Sequence, residues 1–195
     1  MICAKNASWM AYRGTRGRTY GFTLIELMVA VAIIGVLASV AVPSFMRNAR
    51  RAKLTEATIQ LNRIFISSRS YILELHGAAG HAGNLPAQFP NSEPNTPAAA
   101  CCTFAGNKCP PSATDWSTAT WQALMFEVQD PHYYQYAYLS TGDAAPGPGS
   151  NFMAEAFGDL NCDGTFSFIS LYGIWSNIDF DVHGAGGFAF VNELE

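Results

Sequence analysis

The side chains best suited to chemistry are four cysteines, Cys101, Cys102, Cys109 and Cys162, and a run of alternating oxygen donors, Asp159, Asn161 and Asp163, closed by Gly164. In an oxidising compartment an even set of cysteines reads as two disulfides. Four allow three pairings, and a bond between adjacent residues is strained, so Cys162 is expected to reach Cys101 or Cys102 while Cys109 takes the other. A thiol-redox reading fails, because the spacing is not Cys-x-x-Cys and only Lys108 stands near to favour a thiolate. The run 159–165 opens like an EF-hand calcium loop, but Ser170 occupies the place of that loop's bidentate glutamate and the flanks read as strands. A polar hairpin turn on Asp163-Gly164 is therefore expected, with calcium as the lesser alternative and no cofactor or other metal. His76, His81, His132 and His183 are scattered and read as surface residues. No nucleophile, base and orienting acid fall together, so the chain is not expected to be an enzyme.

One further group is chemically out of place. Glu26 is the only charged residue between Phe22 and Met46, and a charge inside an apolar span costs on the order of 2.5 to 3.5 kcal/mol on insertion scales. Twenty-five helical residues reach about 37 Å, enough to cross a hydrocarbon core of roughly 30 Å. A secretory signal would end its apolar run at a small-residue cleavage site, whereas Gly21 precedes the run, directly after a leader carrying Lys5, Arg13, Arg16 and Arg18 and no acid. Cutting after Gly21 would keep the helix and leave Phe22 with a free amine four residues from Glu26. That amine, or a neighbouring copy's, would serve the buried carboxylate.

Charge is divided unevenly along the chain. Arg47, Arg50, Arg51 and Lys53 form a collar after the span, so four basic residues precede it and four follow, which leaves orientation undecided. From His76 onward there is one base, Lys108, against twelve acids, and an acidic head repels phosphate backbones, so it is not expected to bind nucleic acid. The collar reads either as a solvated or membrane-surface face or as a contact for the acidic head of a neighbouring copy.

These groups need elements to hold them. Beyond Pro43 the residues Leu54, Ala57, Leu61, Ile64, Ser68, Ile72 and Leu75 recur at three- and four-residue intervals, the stripe of an amphipathic helix, with Arg50, Lys53, Glu56, Arg63 and Arg69 assigned to its opposite face. One helix over residues 22–75 follows. The stretch 77–111 is rich in Gly, Ala, Pro and Asn and reads as a long loop. Residues 115–126 read as a short helix or an edge strand. Segments 133–139, 151–157, 166–171 and 187–191 are strand-like, separated by Gly-Asp and Asp-Gly turns. Tyr133, Tyr134 and Tyr136 read as core packing by alternation, with a contact surface as the other option. The division expected is a leader, 1–21; an apolar helix, 22–46; its amphipathic continuation, 47–75; and a head, 76–195. The fold class is α+β, a long amino-terminal helix packed on an antiparallel sheet.

The wording Gly21-Phe22-Thr23-Leu24-Ile25-Glu26-Leu27-Met28, then Val31-Ala32-Ile33-Ile34-Gly35-Val36-Leu37-Ala38 and Ala41-Val42-Pro43, closely resembles the amino terminus of type IV pilins and pseudopilins. The resemblance covers about fifty residues. It implies prepilin-peptidase cleavage after Gly21, N-methylation of Phe22, a role for Glu26 in subunit registration, and a helix kink at Pro43, which Gly35 in the same helix would help to loosen. The leader is longer than is typical of relatives with a Phe-type motif, and Met10 offers an internal start that discards Cys3. A pilin or minor pilin of a type IV pilus is the function implied. The partners implied are other pilin subunits, the peptidase and an inner-membrane assembly platform. The location would be the inner membrane before assembly and the surface pilus after it. The alternatives are a pseudopilin of a type II secretion system, in a periplasmic pseudopilus, and a membrane-anchored protein that never polymerises.

Overall fold

The computed structural model describes residues 21–73, 88–141 and 149–194. The leader's residues 1–20, with Met10 and Cys3, and residues 74–87, with His76, His81 and the start of the expected loop, lie outside the described residues. The chain divides into two compact units, Met1–Pro43 and Ser44–Glu195.

A single 50-residue helix, α1, runs over Leu24–Leu73 and includes Pro43. Thr23 and Glu26 close its first turn. The Thr23 N–H and Oγ1 donate to Glu26 Oε2 at 2.9 and 2.8 Å, and the Glu26 N–H donates to Thr23 Oγ1 at 3.3 Å. This is a capping box, in which side chains satisfy amide donors that the first helical turn leaves without backbone partners.

In the second unit, a five-stranded antiparallel meander comprises β1 (Glu93–Thr96), β2 (Gln135–Ser140), β3 (Asn151–Gly158), β4 (Ser167–Ser176) and β5 (Asp181–Val191), each strand beside its sequence neighbour. The outer part of α1 buries Leu54, Ala57, Leu61, Ile64 and Ile72 in one core with Tyr134, Tyr136, Tyr138, Phe152, Ala154, Ala156, Ile169 and Leu171. Period-two alternation places those sheet residues on one face. A close fit explains Gly173. It pairs with Phe152 across β3 and β4, and a Cβ there would stand 2.4 Å from the Phe152 ring.

Two stretches depart from the sequence reading. The expected loop 77–111 contains the edge strand β1 and two one-turn 3-10 segments, Cys101–Thr103 and Ala105–Asn107. Pro94 and Pro97 hid β1, yet proline is tolerated on an edge because no second neighbour needs the missing N–H. The last strand begins at Asp181 rather than near Gly187, since Gly184, Gly186 and Gly187 are carried within it and the register shifts opposite Leu171 and Gly173. The segment 115–126 resolves into a short helix, α2 (Ala119–Ala123), whose Trp121 meets Trp116 edge-on and Phe126 at a tilt, while Trp116 also packs edge-on against Phe126.

Candidate functional site

From Phe22 to Met46 every residue is exposed, Phe22 by 85%, Val40 by 74% and Phe45 by 71%. The helix is long and apolar enough to cross a membrane by length and composition, and none of its most apolar window is buried within the chain. A continuous apolar surface of this extent marks a lipid or protein contact. Ile25, Val29, Ala30 and Ile33 line a shallow groove that begins at Glu26. The capping box occupies one oxygen of that carboxylate, leaving Oε1 without a partner among the described residues. Thr23-x-x-Glu26 was the sequence signal for this cap, and it shows that Glu26 serves its own helix start as well as anything outside it. Gly21 and Phe22 are exposed ahead of α1, and open space surrounds Gly35.

The collar is split. Arg50 Nη1 donates to the Leu194 carbonyl at 2.9 Å, and Lys53 Nζ donates to the Leu160 carbonyl at 2.9 Å while lying 4.4 Å from the Tyr133 ring centre. Arg47 and Arg51 are exposed and make no ion pair among the described residues. Further along, Arg69 forms a bidentate pair with Asp181, at 2.5 and 2.8 Å, which holds that carboxyl at a pKa of about 2. Glu56 accepts the Tyr133 N–H at 2.9 Å, and burial raises its pKa against that bond and the nearby Lys108. These polar residues therefore turn toward the head, correcting the expectation that they form the face opposite to it. The face furthest from the core carries Ala52, Ile59, Ile66 and Leu73, all exposed, at seven-residue intervals.

In the head, the cysteines are joined as Cys101–Cys109 and Cys102–Cys162. The second bond ties the segment after β1 to the turn between β3 and β4. That turn is braced internally. Asp159 accepts the N–H groups of Asp163 and Gly164, and Asp163 accepts that of Thr165. The oxygens considered for calcium thus brace the turn's own backbone, with Cys162 at φ +60° and Gly164 at φ +91° completing the reversal.

His132 corrects the surface reading of the histidines. It is 2% exposed, pairs its backbone with Cys109 and donates from Nδ1 to the Asp130 carbonyl at 3.0 Å, and burial lowers its pKa. His183 is at the surface and pairs with Asp179. Tyr134, Tyr136 and Tyr138 are core residues. Their hydroxyls make no well-formed hydrogen bond among the described residues, although Ser167, Glu56 and Ser68 lie close enough to influence them. Desolvation raises the Tyr134 pKa to about 12.

Known proteins match the amino-terminal pattern. Residues 16–42 fit the prokaryotic N-terminal methylation motif. The chain is 46% identical over 57 residues to the type IV major pilin protein PilA of Myxococcus xanthus, a match covering 29% of this chain and 26% of that one. It is 44% identical over 54 residues to a fimbrial protein of Pseudomonas aeruginosa, covering 28% and 35%, and 51% identical over 39 residues to the type IV major pilin protein PilE1 of Neisseria gonorrhoeae, covering 20% and 24%. The chain thus spans about a quarter to a third of the length of these curated relatives. No solved structure matches it. Over this amino-terminal segment the chain is similar to type IV pilins.

Proposed function

We propose that the chain is a structural subunit, a pilin or minor pilin, which polymerises through α1 into a type IV pilus. The observation that carries this reading is the wholly exposed apolar helix behind a basic leader, interrupted only by Glu26. Prepilin peptidase cuts between Gly21 and Phe22, the new terminus is N-methylated, and the subunit waits in the inner membrane for an assembly platform. Glu26 keeps the subunits in register, and Pro43 with Gly35 loosens the stalk. The head supplies the outer surface and catalyses nothing. A pseudopilin of a type II secretion system would use the same amino-terminal residues and would remain within the envelope.

Shearing filaments from cells and sequencing their subunits tests the reading. The chain should be present, beginning at methylated Phe22. Retention of the leader, or loss of residues 22–46, overturns the proposal, whereas a chain found only in envelope-bound filaments favours the pseudopilin. Glu26→Ala should leave membrane insertion intact and lower filament yield at least tenfold.

A further inference from the structure

The face of the sheet turned away from α1 holds a carboxylate that nothing in the head satisfies. Cross-strand register sets Ala137, Glu155, Ser170 and Ala189 in one line across β2, β3, β4 and β5. The pair Met153 and Tyr172 stands on one side of that line, and the pair Phe157 and Phe168, with ring centres 5.0 Å apart, stands on the other. By alternation all of them point opposite to the core residues Ala154, Ile169 and Leu171. Three short side chains between larger ones make a trough, and Glu155 stands in it. The trough runs out at the free edge of the sheet, where Ala189 is exposed.

Glu155 is 8% exposed and makes no hydrogen bond or ion pair among the described residues. Desolvation raises its pKa, and no donor or opposite charge works against that rise. An uncompensated carboxylate taken out of water weakens a fold, and an apolar residue in its place would serve packing better. Stability therefore does not account for it, whereas a ligand does.

The trough selects the occupant. Both oxygens of Glu155 are open, so a planar donor with two parallel N–H groups satisfies them together. A guanidinium is that donor, is more weakly hydrated than an ammonium, and packs against rings such as Phe157, Phe168 and Tyr172. Leu139 and Val191, exposed on the same face, widen the apolar surface beyond what a free small cation covers. The acidic balance of the head draws a basic partner. The same face of a second copy does not qualify, because β2 to β5 contain no lysine or arginine.

We infer that this trough is a docking site for a basic protein of different sequence, which inserts one arginine side chain and pairs its guanidinium with Glu155. The site lies wholly within the second unit and does not depend on assembly through α1.

The test uses the chain beginning at Phe22, in detergent micelles and carrying methyl-labelled methionine, with the Met153 signal assigned from its loss in Met153→Leu. The probe is acetyl-Ala-Arg-Ala-amide, and its control is the same peptide with citrulline, which has the shape of arginine without the charge. The arginine peptide should move the Met153 signal saturably, with the citrulline peptide at least tenfold weaker. Glu155→Gln should weaken the arginine peptide at least tenfold and unfold no earlier than wild type. Ala189→Phe, which narrows the open end and keeps the carboxylate, should weaken it at least threefold. No saturable shift, equal binding of the two peptides, or a Glu155→Gln variant that unfolds earlier overturns the site. Filament yield from Glu155→Gln should stay within twofold of wild type. A tenfold loss would put an arginine of a second copy on Glu155 and overturn the foreign partner, whereas a wild-type chain that forms no filament removes the polymer reading and leaves the titration to decide the site.

Discussion

A buried histidine inside an otherwise acidic head sets a pH limit on that head. His132 is packed among Trp116 and Tyr136, and desolvation lowers its pKa below the ordinary value of 6.5. The unfolded chain therefore binds a proton more readily than the folded one, and stability is lost as pH falls through 6.5 toward the folded pKa. Glu56 acts with the opposite sign. Burial raises its pKa, so the folded state takes up its proton first and gains stability as pH falls toward and below the ordinary 4.5. Comparing wild type with a His132 variant isolates the histidine, because Glu56 is present in both. Denaturant melts at pH 7 and pH 5 should show a loss of at most about 1.4 kcal/mol per pH unit from one such group, and His132→Gln should flatten that slope. An unchanged slope would mean that His132 does not control it. Sequence gave no handle on this burial, because the Cys109 backbone that clamps His132 comes from a loop without period and meets it only in the fold.

The elements differ in how openly they were written. α1 was legible because two patterns, an unbroken apolar run and then a three-and-four stripe, join without a breaker other than Pro43. Strands β2 and β3 were legible from β-branched and aromatic alternation. β1 and the first half of β5 were not, because proline and glycine signal turns unless the neighbouring strand is known. The capping box was written in Thr23-x-x-Glu26, but a carboxylate inside an apolar run also calls for a distant partner, so the same residue has two readings. The disulfides were legible as a set and ambiguous as pairs, since both arrangements that avoid the adjacent bond satisfy the same spacing. Their different loop lengths give a prediction. The Cys102–Cys162 bond closes a separation of 60 residues and Cys101–Cys109 one of 8, and the chain-entropy estimate assigns about 4 and about 2.5 kcal/mol to them. Removing both cysteines of the longer bridge should lower the midpoint of denaturant unfolding more than removing those of the shorter. The reverse order would show that the 3-10 segments after β1 depend on local closure more than the sheet depends on the long tie.

At the scale of the molecule, the two units differ in how much apolar surface they bury. The second, Ser44–Glu195, contains the core cluster, the five strands and both disulfides, while among the described residues nothing buries the apolar surface of the first. A unit whose core is complete does not need the other to fold, because the hydrophobic stabilisation comes from area removed from water within it. A chain beginning at Ser44 and oxidised in the periplasm should therefore be soluble without detergent, unfold in one cooperative transition and remain monomeric. The chain beginning at Phe22 should need detergent or a membrane for the same measurement. Thermal melts followed by circular dichroism, with light scattering for the mass, make the comparison. A Ser44 fragment that binds hydrophobic dye and melts without cooperativity would mean that α1 ahead of Pro43 is needed to order the head. A fragment that still forms filaments would move the polymer contact out of residues 24–46 and onto the head, where Arg47, Arg51 and the exposed row of α1 would have to make it alone.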